Sequence, residues 1–97
     1  MKSTCIINSN RGRYKYKLTP TGFTSLRLRG ICVTYSIDRT NIRAALSGSV
    51  SIVYVYYHET DTGRHFDVKL TPSGCLWIGC KHFNKTTTRL LRKWFTC

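Results

Sequence analysis

Residues 12–22 read Gly12-Arg13-Tyr14-Lys15-Tyr16-Lys17-Leu18-Thr19-Pro20-Thr21-Gly22. Residues 63–74 answer them as Gly63-Arg64-His65-Phe66-Asp67-Val68-Lys69-Leu70-Thr71-Pro72-Ser73-Gly74. Gly-Arg, an alternating run and then Lys-Leu-Thr-Pro-x-Gly thus recur, with one residue inserted in the second copy. In residues 13–18 the alternation is strict: Arg13, Lys15 and Lys17 take one face and Tyr14, Tyr16 and Leu18 the other. Successive side chains of a strand point to opposite faces, so this is the pattern of a half-buried strand. It ends in a turn with a mechanism. Proline presets φ at the second turn position, and glycine tolerates the positive φ that other residues resist.

The flanking segments extend the echo. An apolar stretch precedes each Gly-Arg (Cys5-Ile6-Ile7, then residues 50–57), and another follows each turn (residues 23–35 and 75–80). Each half then closes with a helical pattern. The first covers residues 38–46, with Ser36 or Asp38 as N-cap and Gly48 just past its end. The second covers residues 85–95, with Asn84 as N-cap. Residues 26–29 alternate, Leu26 and Leu28 against Arg27 and Arg29. Residues 50–57 are apolar on both faces, as a central strand is. The loop at 59–63 joins them to a strand at 65–70 as a hairpin. The unit is strand–strand–strand–helix, present twice, and residues 30–35 read as an extra strand in the first half.

The expected fold is therefore α+β: one antiparallel, sheet-dominated domain over residues 1–97 with two short helices. It is read as a duplicated β-β-β-α unit with halves 1–48 and 49–97. The alternative is an all-β barrel carrying a C-terminal helix.

Charge supplies the functional signal. The chain has 16 Lys and Arg against 4 Asp and Glu, a net charge of +12 over 97 residues. Residues 1–29 hold Lys2, Arg11, Arg13, Lys15, Lys17, Arg27 and Arg29. Residues 69–97 hold Lys69, Lys81, Lys85, Arg89, Arg92 and Lys93, and neither end contains an acid. All four acids (Asp38, Glu59, Asp61, Asp67) lie between. Such a charge opposes compaction and is matched by a polyanion, with nucleic acid ahead of an anionic membrane surface. A solvated face normally mixes signs, and these do not.

Two cationic surfaces are expected. If residues 13–18 and 23–29 pair across the first turn, Arg13, Lys15, Lys17, Arg27 and Arg29 share one sheet face, which Arg11 extends. Five or six phosphate contacts there predict a log–log salt slope of about −5. In the second helix Lys85, Arg89, Arg92 and Lys93 fall at helical spacing as one stripe, opposite Leu90, Leu91, Trp94 and Phe95, with Lys81 just upstream. Tyr14, Tyr16, Tyr35, Tyr54, Tyr56, Tyr57, Phe66, Trp77 and Trp94 are enough to stack unpaired bases, but Tyr14 and Tyr16 point away from the basic face and read as core, so the sequence does not place single strands ahead of duplex.

Other chemistries find less support. Residues 1–8 contain three consecutive apolar residues, short of the roughly 7–15 of a secretory signal. No run approaches the roughly 18–20 of a membrane span. A cytoplasmic setting is expected (host cytoplasm if the chain is phage-encoded). The five cysteines (Cys5, Cys32, Cys75, Cys80, Cys97) are odd in number, without a Cys-x-x-Cys pair, and read as free thiols. Cys97 lacks a prenylation context. Cys75 and Cys80 with His82, and His58 or His65 as fourth ligand, would make a zinc set. On one strand, however, Cys75 and Cys80 face opposite ways, and no metal is expected. His65, Asp67 and Lys69 share a strand face, but a surface pair accounts for them and no enzyme or cofactor is expected.

The reading is a small basic nucleic-acid-binding accessory or regulatory protein, DNA ahead of RNA, in the style of a phage or mobile element. The alternative is a phage-type inhibitor docking on a host nucleic-acid enzyme, such as a recombination nuclease or an immune effector. The turns Thr19, Pro20, Thr21, Gly22 and Thr71, Pro72, Ser73, Gly74 would then be its recognition loops.

Overall fold

Strand alternation and helix capping, carried through the chain, give a computed structural model that describes residues 4–9, 14–27 and 34–96. Eight strands follow one another in space as they do in sequence. They are β1 (Cys5–Ser9), β2 (Tyr14–Thr19), β3 (Gly22–Arg27), β4 (Tyr35–Asp38), β5 (Ile52–Tyr57), β6 (Thr62–Leu70), β7 (Leu76–Ile78) and β8 (Lys81–Phe83). Each pairs antiparallel with the next. Helix α1 (Arg39–Ser47) follows β4, and α2 (Lys85–Phe95) follows β8. The fold is sheet-dominated with two helices, as the alternation and caps predict.

Three strands per half is one too few, because the order is four strands and a helix, then again four strands and a helix. In the first half the fourth strand is β4, later than the expected 30–35. In the second, residues 75–80 do not form one strand. Gly79 adopts φ 61 and turns the chain back on itself, so that Ile78 faces Lys81. The Gly79 N–H donates to the Asp67 carbonyl at 2.7 Å. A side chain at Gly79 would collide with the Phe66 ring, its Cβ falling 2.7 Å from a ring carbon.

The long strand β6 bends the sheet. Its first six residues pair with β5 and its last three with β7. The sheet therefore curls into a half-barrel whose inner face carries Tyr16, Leu18, Phe23, Ile37, Val53, Val55, Leu76, Ile78 and Phe83, all buried. Helix α1 adds Ile42, Ala45 and Leu46, and α2 adds Leu91 and Phe95, to one core. The curl brings the last strand back to the second and third. Phe83 lies 5.5 Å from Tyr16 and 6.0 Å from Phe23 between ring centroids, within the usual range for aromatic pairs. Phe95 of α2 joins them 6.3 Å from Phe23, and α2 contacts both β1 and β8.

The helices begin where their caps predict. Asp38 Oδ1 accepts from the Asn41 N–H at 2.8 Å, and Asn84 Oδ1 accepts from the Thr87 N–H at 2.8 Å. Each satisfies a donor that the first helical turn leaves unpaired. Gly48, at φ 70, ends α1 in the left-handed conformation that glycine adopts without strain. On α2 the packed side is Leu91 and Phe95 with buried Thr87 and Thr88, whereas Leu90, expected inside, is exposed. The Thr88 hydroxyl donates to the Phe83 carbonyl, so its burial leaves no orphan donor. Among the described residues, no helix is long and apolar enough to cross a membrane.

Removing the ring of Phe83 leaves a cavity where three elements meet. Phe83→Ala should lower stability by roughly 3–5 kcal/mol, while the exposed Leu90→Ala should change it by no more than about 0.5 kcal/mol. Urea unfolding of the two variants side by side checks both.

Candidate nucleic-acid interface

The alternation that fills the curl sends the other half of the strand residues outward. Across the outer face Lys17 stands opposite Thr24, Thr24 opposite Ser36, and Ser36 opposite Tyr56, one row over four strands. Lys15 and Lys17 form one ridge on β2, and Tyr54 and Tyr56 another on β5. The residues between them on β3 and β4 are short, and an open groove of about 410 Å³ lies against the tyrosine ridge, lined by Thr19, Thr21, Gly22, Thr24, Ser36, Asp38, Tyr54 and Tyr56. Lys17, two residues before Thr19 on β2, stands beside the lining and not in it. The groove floor is a chain of polar contacts, with the Thr24 and Ser36 hydroxyls 2.8 Å apart and Ser36 Oγ 2.6 Å from His58 Nε2.

The tyrosines are held in place. Tyr54 is 40% exposed, and its phenol lies over Gly63 of the neighbouring strand. A Cβ at position 63 would fall 1.6 Å from the phenolic oxygen, so glycine is what lets the ring lie there. His65 meets the ring edge-on at 5.2 Å. The Tyr56 hydroxyl donates to the Asp61 carboxylate, and His58 packs edge-on against the Tyr56 ring at 4.8 Å. That hydrogen bond, with a smaller contribution from desolvation, holds the Tyr56 phenol above its ordinary range. Further along, exposed Trp77 packs with His82 at 4.5 Å. All three histidines of the chain thus lean on an outward aromatic ring.

The expected basic sheet face is smaller than its sequence pattern. Lys15 and Lys17 are on the outer face, opposite the buried Tyr16 and Leu18. The β2–β3 register, however, pairs Lys15 with Leu26 and Tyr14 with Arg27. Directly opposed residues share a face, so position 27 belongs to the register of Tyr16 and does not join the lysines. A two-residue turn sets an odd-numbered position of β2 against an even-numbered one of β3, which separates the two sets of cations. Arg11, Arg13 and Arg29 lie outside the described residues. Lys81 is also not an outer grip. It faces Ile78 on the inner side, its ammonium 4.4 Å from the Tyr35 ring centroid and 5.6 Å from that of Tyr57.

On α2, Lys85, Arg89, Arg92 and Lys93 are exposed, and Arg92 also donates to the Leu46 carbonyl at 3.1 Å. Arg39 and Arg43 of α1 are exposed as well, and neither helix contains an acid. Arg39 is the exception in position, donating to the Pro20 carbonyl at the turn beyond Lys17. The cations of α2 lie across the core from Lys15 and Lys17, so the sheet and α2 carry separate basic surfaces. Three of the four carboxylates serve the fold. Asp38 caps α1, Asp61 accepts from Tyr56, and Glu59 accepts from the Thr34 N–H. That last bond holds the Glu59 carboxyl below its ordinary range. Asp67 is exposed on the outer face.

The two proline turns differ. At the first, the Thr19 carbonyl accepts from Trp94 Nε1 at 2.9 Å and the Thr21 carbonyl from the Arg39 N–H at 2.5 Å. That turn is tied to both helices, and Thr19, Thr21 and Gly22 line the groove. The second exposes Pro72 and Ser73, with Thr71 Oγ1 2.9 Å from Ser73 Oγ and Gly74 at φ 96. Among the described residues, no group of three or more His, Cys, Asp or Glu is placed to hold a metal ion. Cys75 lies in that second turn and Cys80 in the Gly79 turn, not on one strand. Cys32 and Cys97 lie outside the described residues.

The sequence counts Tyr54, Tyr56 and Trp77 among its possible stacking rings but does not distinguish them from the core aromatics, since residues 50–57 read as apolar on both faces. The available signal was chemical: on β5, valines occupy one alternation (Val53, Val55) and phenols the other. No protein-family model, curated protein or solved structure matches this chain.

Gly63→Ala should push the Tyr54 phenol off β6 while leaving the fold intact, since Gly63 does not use a positive φ. The expected result is a shift in the His65 ring proton resonances, which sense the Tyr54 ring, with cooperative unfolding retained.

Proposed function

We propose that the chain is a small basic nucleic-acid-binding protein of accessory or regulatory type. The observation that carries the reading is the disposition of its charges. Three of four carboxylates are engaged within the fold, while the exposed cations of both helices and of β2 stand in acid-free elements. Phosphates neutralising those cations release counterions, which drives association and makes it salt-dependent. We also infer that the two halves derive from one duplicated unit. Both run four strands then a helix, and in both the Lys-Leu-Thr-Pro turn joins the second strand to the third. The second copy has lost part of the basic face, with Asp67 where the first has Lys15.

The test is a titration of duplex DNA, single-stranded DNA and RNA across a salt series. For duplex the wild type should give a log–log slope of about −5 if the six exposed cations of the helices make the contacts and about −2 if Lys15 and Lys17 alone do. Lys15→Glu/Lys17→Glu and Arg89→Glu/Lys93→Glu, on opposite sides of the core, identify the face in use. The pair on that face should weaken binding and flatten the slope by roughly 0.9 for each phosphate no longer neutralised. No binding to any of the three at low salt would reject the reading. It would favour a protein that docks on a nucleic-acid enzyme, beginning with the exposed turn at Pro72 and Ser73.

A further inference from the structure

We propose that the outer groove is a binding site for unpaired nucleic acid, with bases lying against Tyr54 and Tyr56 and the sugar–phosphate strand passing out of the groove towards Lys17 and, beyond it on β2, Lys15. This deepens the nucleic-acid reading and rests on it. An aromatic residue exposed at the centre of a sheet forgoes the burial that normally stabilises it. Here the rings are also held: Gly63 makes room for Tyr54, and Asp61 holds the hydroxyl of Tyr56. Residues two apart on a strand stand roughly 6.6 Å from each other, so the two phenols offer separate places along one line. Every base has a π-face, and stacking on such rings is tolerant of sequence.

The groove beside the platform supplies the rest. Thr24 and Ser36 hydroxyls can donate to or accept from a base edge or a sugar hydroxyl. Because both side chains are short, a planar group can reach the floor between the two ridges. Lys17 shares the row of Thr24, Ser36 and Tyr56, so an anionic strand running beside the groove meets a cation at that row. Lys69 and Trp77, paired across β6 and β7, repeat the cation–aromatic combination further along the same face.

Shape decides against duplex at this site. The face is the outside of a curl and therefore convex. A rigid cylinder laid on a convex surface touches it along a short line, and its base faces are already stacked within. A flexible single strand can follow the curve and present its bases.

The experiment is fluorescence anisotropy with a short oligo-dT, an oligo-rU of the same length and a duplex of that length, at matched salt. The wild type should bind at least one single strand more tightly than duplex, the dT and rU arms separating DNA from RNA. Loss of one stacking ring should cost on the order of 5–150-fold in affinity. That loss is expected for Tyr54→Ala and for Tyr56→Ala. Tyr54→Phe, which keeps the ring, should bind as the wild type does. Gly63→Ala, which keeps the tyrosine and every charge, should also weaken single-strand binding. Duplex bound as tightly as both single strands would overturn the proposal and leave the nucleic-acid reading standing. So would unchanged single-strand affinity in both alanine variants. Failure to bind any of the three probes would overturn the broader reading with it.

Discussion

The sheet is curled shut by rings. Phe83, on the last strand, meets Tyr16 and Phe23, on the second and third, through side chains alone. A meander of eight antiparallel strands could equally lie open as a twisted sheet with two edges. What bends it here is the change of partner along β6, and what holds the bend is the aromatic cluster with Phe95 of α2 beneath it. Burying three phenylalanines and a tyrosine in one cluster removes several hundred square ångströms of apolar surface from water, at about 25 cal/mol per Å². The strands at either end of the order, β1 and β8, are both contacted by α2. The helix therefore covers the seam that the short β8 cannot close by pairing.

Because the inside is filled this way, the outside is left with a different task. Along β2 to β5 the alternation sends Tyr16, Leu18, Phe23, Ile37, Val53 and Val55 to the core and leaves Lys17, Thr24, Ser36, Tyr54 and Tyr56 on the outer side. The groove arises from this division and not from a gap between domains. Short residues on β3 and β4 run between long residues on β2 and β5. Helix α2 meanwhile gives its exposed cations to the opposite side. Two surfaces of one sign on opposite sides would strain a smaller core. Here the repulsion is spread over the full width of the molecule, where solvent and salt screen it.

The sequence made some parts legible for identifiable reasons. Capping is a local matter of one side chain and one N–H, so Asp38, Gly48 and Asn84 marked both helices correctly. The strict alternation of residues 15–18 likewise fixed which residues of β2 face inward. What failed was non-local. Whether Arg27 joins Lys15 depends on the residue count of the turn, since one position of slip moves every side chain to the other face. Residues 75–80 looked like one strand because a single glycine, Gly79, carries the whole reversal. The open face of β5 was hidden for another reason. Ile52, Tyr54 and Tyr56 would read the same if a second layer covered them, and composition does not report whether one exists. Lys81 shows the limit of charge counting, since a cation resting on Tyr35 adds to the total without adding to the outer surface.

The bond from Trp94 to the Thr19 carbonyl joins residues 75 apart in sequence. Strand pairing, by contrast, is entirely between neighbours in the meander, where a hairpin closes in roughly 1–10 μs. The topology thus implies an order of assembly: hairpins first, then closure of one long loop by the helix that follows every strand. Loop-closure entropy rises only slowly with length, so the closed state itself suffers little from that distance. The interval before closure matters more, because the inner rings of Tyr16, Phe23 and Phe83 are then open to any other copy of the chain nearby.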